Sequence, residues 1–319
     1  MKICLVKTSS MGDIIHTLPA LTDALNVLPN LQVDWVVEEN FSEIPKWHSA
    51  VNRVIPIALR RWRKFPFSVK NRNEWKIYRT LLQKERYDAV IDAQGLFKSA
   101  FFTTRLVNGT KHGYDCHSIR EPIATFFYDK KYTISYHQHA VERIRQLFSL
   151  SLNYGLPSSQ GDYGIAQHFT TASIEPYVIF FHSTTRDEKH WLEQEWKNLI
   201  EKMTALSVQI RLPWGNEKEK ARAERLAQDK ANVVVLPRLS LTDLAQQIAA
   251  SQAVVSVDTG LAHLTAALDK PNITLYGATD PKLIGCYGKN QQYLFASNMA
   301  EISADQVFSM LESRLNCCQ

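Results

Sequence analysis

None of the twelve glycines stands two residues from another, so the chain has no GxG and no dinucleotide-binding fingerprint. The glycine-to-lysine loop of P-loop enzymes is missing as well. No two aspartates stand two apart, which removes the DxD pair that many sugar-transferring enzymes use to hold a divalent metal. The five cysteines, at 4, 116, 286, 317 and 318, form no CxxC and no even framework, as expected in a reducing compartment. Cys317 and Cys318 beside the last residue read as exposed and without a role. Ten histidines give one close pair, His137 and His139, which has no zinc-site context and reads as a polar loop before a helix. Apolar runs such as Tyr177–Phe181 reach about five residues, where a membrane-crossing helix needs about twenty. The amino terminus has four apolar residues between Lys2 and Lys7 and then turn chemistry, unlike a signal peptide. A soluble, cytoplasmic protein is expected.

What is present is the composition of a globular enzyme. With 319 residues, 45% apolar and 22% charged, the chain has the length for two α/β cores of ~150 residues each. The formal charge of +5 does not announce a nucleic-acid binder, but its distribution is uneven. Between Arg60 and Arg86 stand ten Lys or Arg against two acids, Glu74 and Glu85, a local excess of eight that attracts phosphates.

Short apolar runs alternate with amphipathic stretches, the pattern of parallel α/β layers. Strands are expected over 3–6, 33–37, 54–57 and 88–93, with helices from Asp13 and over 73–84, 96–107 and 139–153. Gly155 and Pro157 punctuate the last of these. Residues 158–176 read as a linker between a domain 1–157 and a domain 177–302, and a closing helix over about 303–316 is expected to pack back on the first domain. The second domain carries strand expectations at 177–182, 208–212, 233–236, 253–257 and 273–276, with helices over 192–204, 217–228, 241–250 and 260–268. Two doubly wound Rossmann-like halves imply a central cleft between them, with ligands at the carboxyl ends of the strands.

Four strand-end segments carry candidate chemistry. The stretch Lys7-Thr8-Ser9-Ser10-Met11-Gly12-Asp13 follows a buried strand and opens a helix, where free amides face the crevice and Gly12 allows close approach. Asp13 fits two readings, a helix-start acid stabilised by the dipole and a general base. Asp258-Thr259-Gly260 is a strand-to-helix junction with an anion-friendly turn, and His263 lies on the same helix face as Thr259, either packed or functional. His182-Ser183-Thr184-Thr185 leads to Lys189, a set that reads as a solvated loop or as phosphate ligands with a lysine in place of a metal. After Leu212-Pro213-Trp214-Gly215, Glu217 and Glu219 fit ribose binding and helix-start acids equally well. Three phosphate-friendly strand ends in one half suggest a nucleotide diphosphate. The run Arg60-Arg61-Trp62-Arg63-Lys64, followed by Phe65-Pro66-Phe67, mixes cations with aromatics. That suits phosphorylated headgroups at an acyl boundary, with RNA as the competing partner.

At these residues the sequence resembles the ADP-heptose:lipopolysaccharide heptosyltransferases, glycosyltransferase family 9 of the GT-B fold. The carrying stretches are KTSSMGDIIHTLPAL (7–21), DWVVEE (34–39), RRWRK (60–64), YDAVIDAQGLFKSA (87–100), HSTTRDEKHW (182–191), LPWG (212–215) and SVDTGLAHLTAALDKPNITLYGATDP (256–281). The resemblance implies an inverting, metal-independent enzyme without a cofactor, moving heptose from ADP-heptose to the first Kdo of Kdo2-lipid A. It implies that Asp13 is the catalytic base. It implies a donor site of Thr184, Thr185, Lys189, Glu219, Thr259, Gly260 and His263, with Asp258 near the transferred sugar and the backbone of Leu239 beside the adenine. Arg60, Arg61, Arg63, Lys64 and Arg120, with Ser10 and Gly12, match acceptor-side positions. A monomer at the cytoplasmic face of the inner membrane is expected, closing its two domains to bring Asp13 to the donor and to exclude water. The rival readings are a sibling heptosyltransferase acting on another core sugar and a non-catalytic binder of anionic glycolipid or RNA.

Overall fold

The computed structural model describes residues 1–65, 67–169, 176–206 and 208–316. Pro66, residues 170–175 of the expected linker, Cys317 and Cys318 lie outside the described residues. The chain divides into two units, Met1–Gly164 and Ile165–Gln319.

In the first unit six parallel strands, β1 (Lys2–Val6), β2 (Gln32–Glu38), β3 (Val51–Ile57), β4 (Ala89–Asp92), β5 (Lys111–Tyr114) and β6 (Lys130–Tyr132), run in the order β3-β2-β1-β4-β5-β6. Ile3 to Val6 are fully buried because a parallel sheet is covered by helices on both faces, which also explains their unbroken apolar run. The chain winds outward from β1 to β3 and then returns to β4 on the other side, so the topological switch point lies between β1 and β4. Val6 pairs with both Val36 and Asp92, so β1 and β4 end level while β2 runs on to Glu38.

The second unit repeats the plan with β7 (Tyr177–Phe181), β8 (Gln209–Leu212), β9 (Val233–Val235), β10 (Ala253–Val257), β11 (Asn272–Tyr276) and β12 (Gln291–Phe295), in the order β12-β11-β10-β7-β8-β9. Its switch point lies between β7 and β10. Trp191, Trp196 and Phe180 dominate the core, and Trp191 Nε1 reaches Ile302 O at 2.8 Å, so its one polar atom is satisfied. The closing helix Ala304–Asn316 belongs to this core and packs on the helix Glu193–Thr204, a correction to the expectation that it returns to the first domain. The reason is its apolar stripe: Val307, Leu311 and Leu315 join the cluster of Trp196 and Met203, and Ala304 N donates to Glu195 Oε2 at 2.7 Å.

Three other expectations shift. The helix expected over 96–107 stops as Phe97–Phe102 and continues as the 3-10 turn Thr104–Leu106. Thr103 and Thr104 point their hydroxyls into the core, to Tyr78 Oη and Asp92 Oδ2, each at 2.7 Å, and this breaks the helix. The helix Ala140–Leu152 ends on Asn153 in the left-handed region, φ 58°, upstream of Gly155. The opening helix is short, Met11–Ile15, and is followed by a second, Leu18–Val27.

Candidate active site

All six strands of the first sheet are parallel, so the loops after β1, β3 and β5 emerge on one edge. Those loops carry Ser10 to Asp13, Arg60 to Lys64 and Arg120. The loop after β1 is clamped by Gln94, whose Oε1 accepts from Thr8 N at 2.9 Å and Ser9 N at 3.1 Å. Buried Trp35 donates from Nε1 to Lys7 O at 3.0 Å and fixes the strand end. Asp13 Oδ2 accepts from Ser10 N at 2.7 Å and Ser10 Oγ at 2.8 Å, a reciprocal cap of the first turn. The helix-start reading of this acid is therefore realised. The other oxygen, Oδ1, stands 3.9 Å from Lys7 Nζ on a side chain that is 46% exposed. Oδ2 serves the helix, and the side chain as a whole stays half open to water. Gly12 is buried in the same turn.

Lys7 is the group the sequence reading passed over. It is 6% exposed and donates from Nζ to Ala93 O at 2.9 Å. Burial pushes its ammonium below the usual lysine range, while Asp13 and Asp92 pull it back up and Arg143 lowers it further. Asp92 is itself fully buried and pushed up by burial. Its oxygens accept from Gln94 N and Gly95 N at 3.0 Å and from the hydroxyls of Ser99 and Thr104. A lysine that ends an apolar strand at a switch point was the available signal.

The basic run forms the helix Leu59–Lys64 and its members have different fates. Arg61 is spent inside the protein, gripping Glu39 with two nitrogens at 3.0 Å and Glu74 at 2.8 Å. Arg60 donates its backbone N to Glu38 Oε1 at 3.0 Å and holds its guanidinium 5.7 Å from the Phe41 ring. Arg63, Lys64 and Arg120 are exposed and have no ion-pair partner among the described residues.

On the second sheet the loops after β7, β8, β9 and β10 likewise share an edge. Thr184 Oγ1 donates to Asp258 O at 2.9 Å and Lys189 Nζ meets Asp258 Oδ2 at 2.6 Å, so the loop after β7 is tied to the end of β10 across the switch point. Thr259 is the N-cap of the helix Gly260–Ala267 and makes no side-chain cap bond to its first turn. His263 is buried one turn on, its Nδ1 3.9 Å from Cys286 Sγ. Glu219 accepts from Gly215 N and Asn216 Nδ2, each at 2.7 Å, so its carboxylate braces the loop after β8. Thr185 is exposed and Leu239 half-buried after β9. His182, which opens the loop after β7 and had no role assigned to it, is fully buried and pushed down to about 3 by burial and the nearby Arg222. No cluster of three or more His, Cys, Asp or Glu side chains fit for a metal occurs among the described residues.

A carboxylate half open to water at one switch point, and a lysine beside two hydroxyls and a helix start at the other, suit proton acceptance and diphosphate binding. The model of Glycosyltransferase family 9 (heptosyltransferase) matches residues 75–311. Lipopolysaccharide heptosyltransferase 1 of Escherichia coli (strain K12) is 54% identical over 98% of this chain and 100% of its own length. The solved E. coli heptosyltransferase WaaC with ADP superposes with a TM-score of 0.96 at 54% identity, over 98% of this chain and 100% of that one. WaaC with ADP-2-deoxy-2-fluoro heptose gives 0.93 at 53% identity, over 98% of this chain and 99% of that one. The two doubly wound units are those of the GT-B fold.

Proposed function

This chain belongs to glycosyltransferase family 9, the heptosyltransferases, and from that membership we propose that it moves L-glycero-D-manno-heptose from ADP-heptose to the first Kdo of Kdo2-lipid A. The observation that carries the reading is the pairing of chemistries at the two switch points, Asp13 in one unit and Lys189 with Thr184 and the Thr259–Gly260 turn in the other. The E. coli relative solved with an ADP-heptose analogue supports the donor.

The reaction is a single displacement. The acceptor hydroxyl oxygen attacks the anomeric carbon, the bond from that carbon to the ADP oxygen breaks, and ADP leaves with the electron pair. Asp13 Oδ1, the oxygen Ser10 does not engage, accepts the hydroxyl proton late, as the attacking oxygen becomes acidic. Such a positioned base contributes ~10²–10⁴-fold. Lys189, shared between Asp258 and the diphosphate, meets the growing charge together with the first-turn amides. Thr185, Glu219, Leu239 and His263 complete the donor side, and Arg60, Arg63, Lys64 and Arg120 the acceptor side. Arg61 contributes by holding that helix. The enzyme inverts the anomeric centre, needs no metal and works as a monomer peripheral to the cytoplasmic face of the inner membrane.

The test is transfer from ADP-, UDP- and GDP-sugars to Kdo2-lipid A in excess EDTA. Transfer from ADP-heptose alone, undiminished by the chelator, supports the reading. A strict need for added magnesium or manganese overturns the role of Lys189, and preference for another nucleotide overturns the donor.

A further inference from the structure

The segment that follows β3 has more positive charge than the protein uses. Of the ten Lys and Arg between Arg60 and Arg86, Arg61 alone has a carboxylate within ion-pair distance among the described residues. Both acids of the segment are already occupied: Glu74 takes Arg61 and the Trp62 Nε1 donor at 2.7 Å, and Glu85 takes Lys2 at 3.2 Å. The helix Val69–Lys84 buries Asn71, Tyr78 and Leu82, which share one face. Helical spacing puts Val69, Asn73, Lys76, Thr80 and Lys84 on the opposite face, with Lys70, Ile77 and Leu81 beside them. Apolar side chains on this outward side are left in water. Phe67 is 88% exposed, and Phe65, Val69 and Ile77 are each more than 60% exposed. Leaving such side chains exposed forgoes the gain of burying them. No helix among the described residues is long and apolar enough to cross a membrane.

We propose that Phe65, Phe67 and the outward side of the helix Val69–Lys84 are a docking surface for an anionic bilayer, with the two phenylalanines entering the boundary between headgroups and acyl chains. Lys70, Lys76 and Lys84 then lie against lipid phosphates, their stems along the apolar layer. The proposal rests on the reading that the acceptor is carried by a lipid, and it separates bilayer docking from recognition of the acceptor's own sugars by Arg63 and Lys64. Charge alone suits nucleic acid too. Base stacking, however, uses aromatic faces, whereas Val69, Ile77 and Leu81 offer aliphatic surface that an acyl layer removes from water.

The experiment is co-sedimentation of the full chain with vesicles of phosphatidylcholine alone or mixed equally with phosphatidylglycerol, free of acceptor. The wild type is expected to bind the mixed vesicles, to ignore the neutral ones and to be released by salt. Lys70→Gln, Lys76→Gln and Lys84→Gln combined should weaken partitioning on the order of 100-fold, and Phe67→Ser about tenfold. Both variants should transfer heptose to a deacylated, soluble acceptor at the wild-type rate, and should lose rate only on acceptor held in vesicles. Wild-type protein that ignores anionic vesicles overturns the proposal, as do variants that bind them undiminished. Tighter binding to a single-stranded RNA oligonucleotide, competing with vesicles, overturns it in favour of nucleic acid. Failure of transfer to the soluble acceptor by the wild type would instead overturn the proposed reaction and leave the vesicle result to stand alone.

Discussion

At the first switch point a buried lysine, Lys7, stands 3.9 Å from a carboxylate whose side chain is 46% exposed; at the second, Lys189 and Asp258 touch at 2.6 Å with side chains 15% and 10% exposed. Both sites set a lysine against an aspartate at the end of a central parallel strand. In the first the cation is enclosed and the carboxylate is open, as the proposed base requires. In the second the two charges are in contact and partly shielded, which prepares a cation whose partner a diphosphate can share. In the proposed reaction the same two residue types, one pair open and the other closed, serve opposite steps of one displacement.

The largest effect comes from removing the open carboxylate. Asp13→Ala should lower single-turnover rates at least ~100-fold, with ADP-heptose affinity near wild type by calorimetry, because the proposed donor groups belong to the other unit. A variant that keeps its rate would reduce Asp13 to the cap it forms with Ser10. Next is the closed pair. Lys189→Met should cost about 10- to 100-fold in kcat/KM, spread over donor affinity and chemistry. It also strands the Asp258 carboxylate, so adding Asp258→Asn should recover thermal stability without recovering turnover. Recovery of turnover by the double variant would show that Lys189 serves only to neutralise Asp258.

The buried cation of the first site gives a smaller effect with a defined sign. Burial holds the Lys7 ammonium below the usual lysine range, so raising the pH discharges it earlier than an exposed lysine. Turnover should then fall on the alkaline side, because Asp13 loses the cation that faces Oδ1. Asp92 and Arg143 also face this group, and Lys7→Met is the control that separates them. The variant should turn over about tenfold more slowly at neutral pH and lack the alkaline fall. An alkaline limb unchanged in Lys7→Met would assign it to another group.

How far the sequence discloses these sites depends on the range of the signal. β1, β2, β10 and β11 are legible because strands buried on both faces are runs of branched and aromatic residues, and the turns after them are local. β5 and β6, with the sequences KHGY and KKY, are not: short and partly charged, the second at the sheet edge, they carry no apolar run. β12, QQYLF, is hidden likewise at the other sheet's edge. Asp13, Asp258 and Lys189 stand out as candidates by motif position, but the Lys189–Asp258 contact spans 69 residues and has no local mark. Arg61 shows the same limit. It reads as one more cation in a run, and only the fold brings Glu39 and Glu74 to it.

The smallest expected effect tests whether a first-turn acid in the second unit shares the standing of Asp13. Glu219 also caps a strand-end loop, but both its oxygens are engaged, Oε2 by Gly215 N and Oε1 by Asn216 Nδ2, each at 2.7 Å. Asp13 uses a single oxygen in this way. A carboxylate with both oxygens engaged can still accept further hydrogen bonds from a ribose, since each oxygen has two lone pairs, but a proton arriving on either oxygen weakens a bond already made. Glu219→Gln keeps one acceptor oxygen and replaces the other with a donor facing a donor. The loop after β8 should loosen, donor KM should rise about two- to fivefold, in keeping with the loss of one ordinary hydrogen bond, and kcat should stay within twofold. Glu219→Ala should do little more to kcat. A fall in kcat comparable to that of Asp13→Ala would mean that exposure of one carboxylate oxygen is not what separates the two acids.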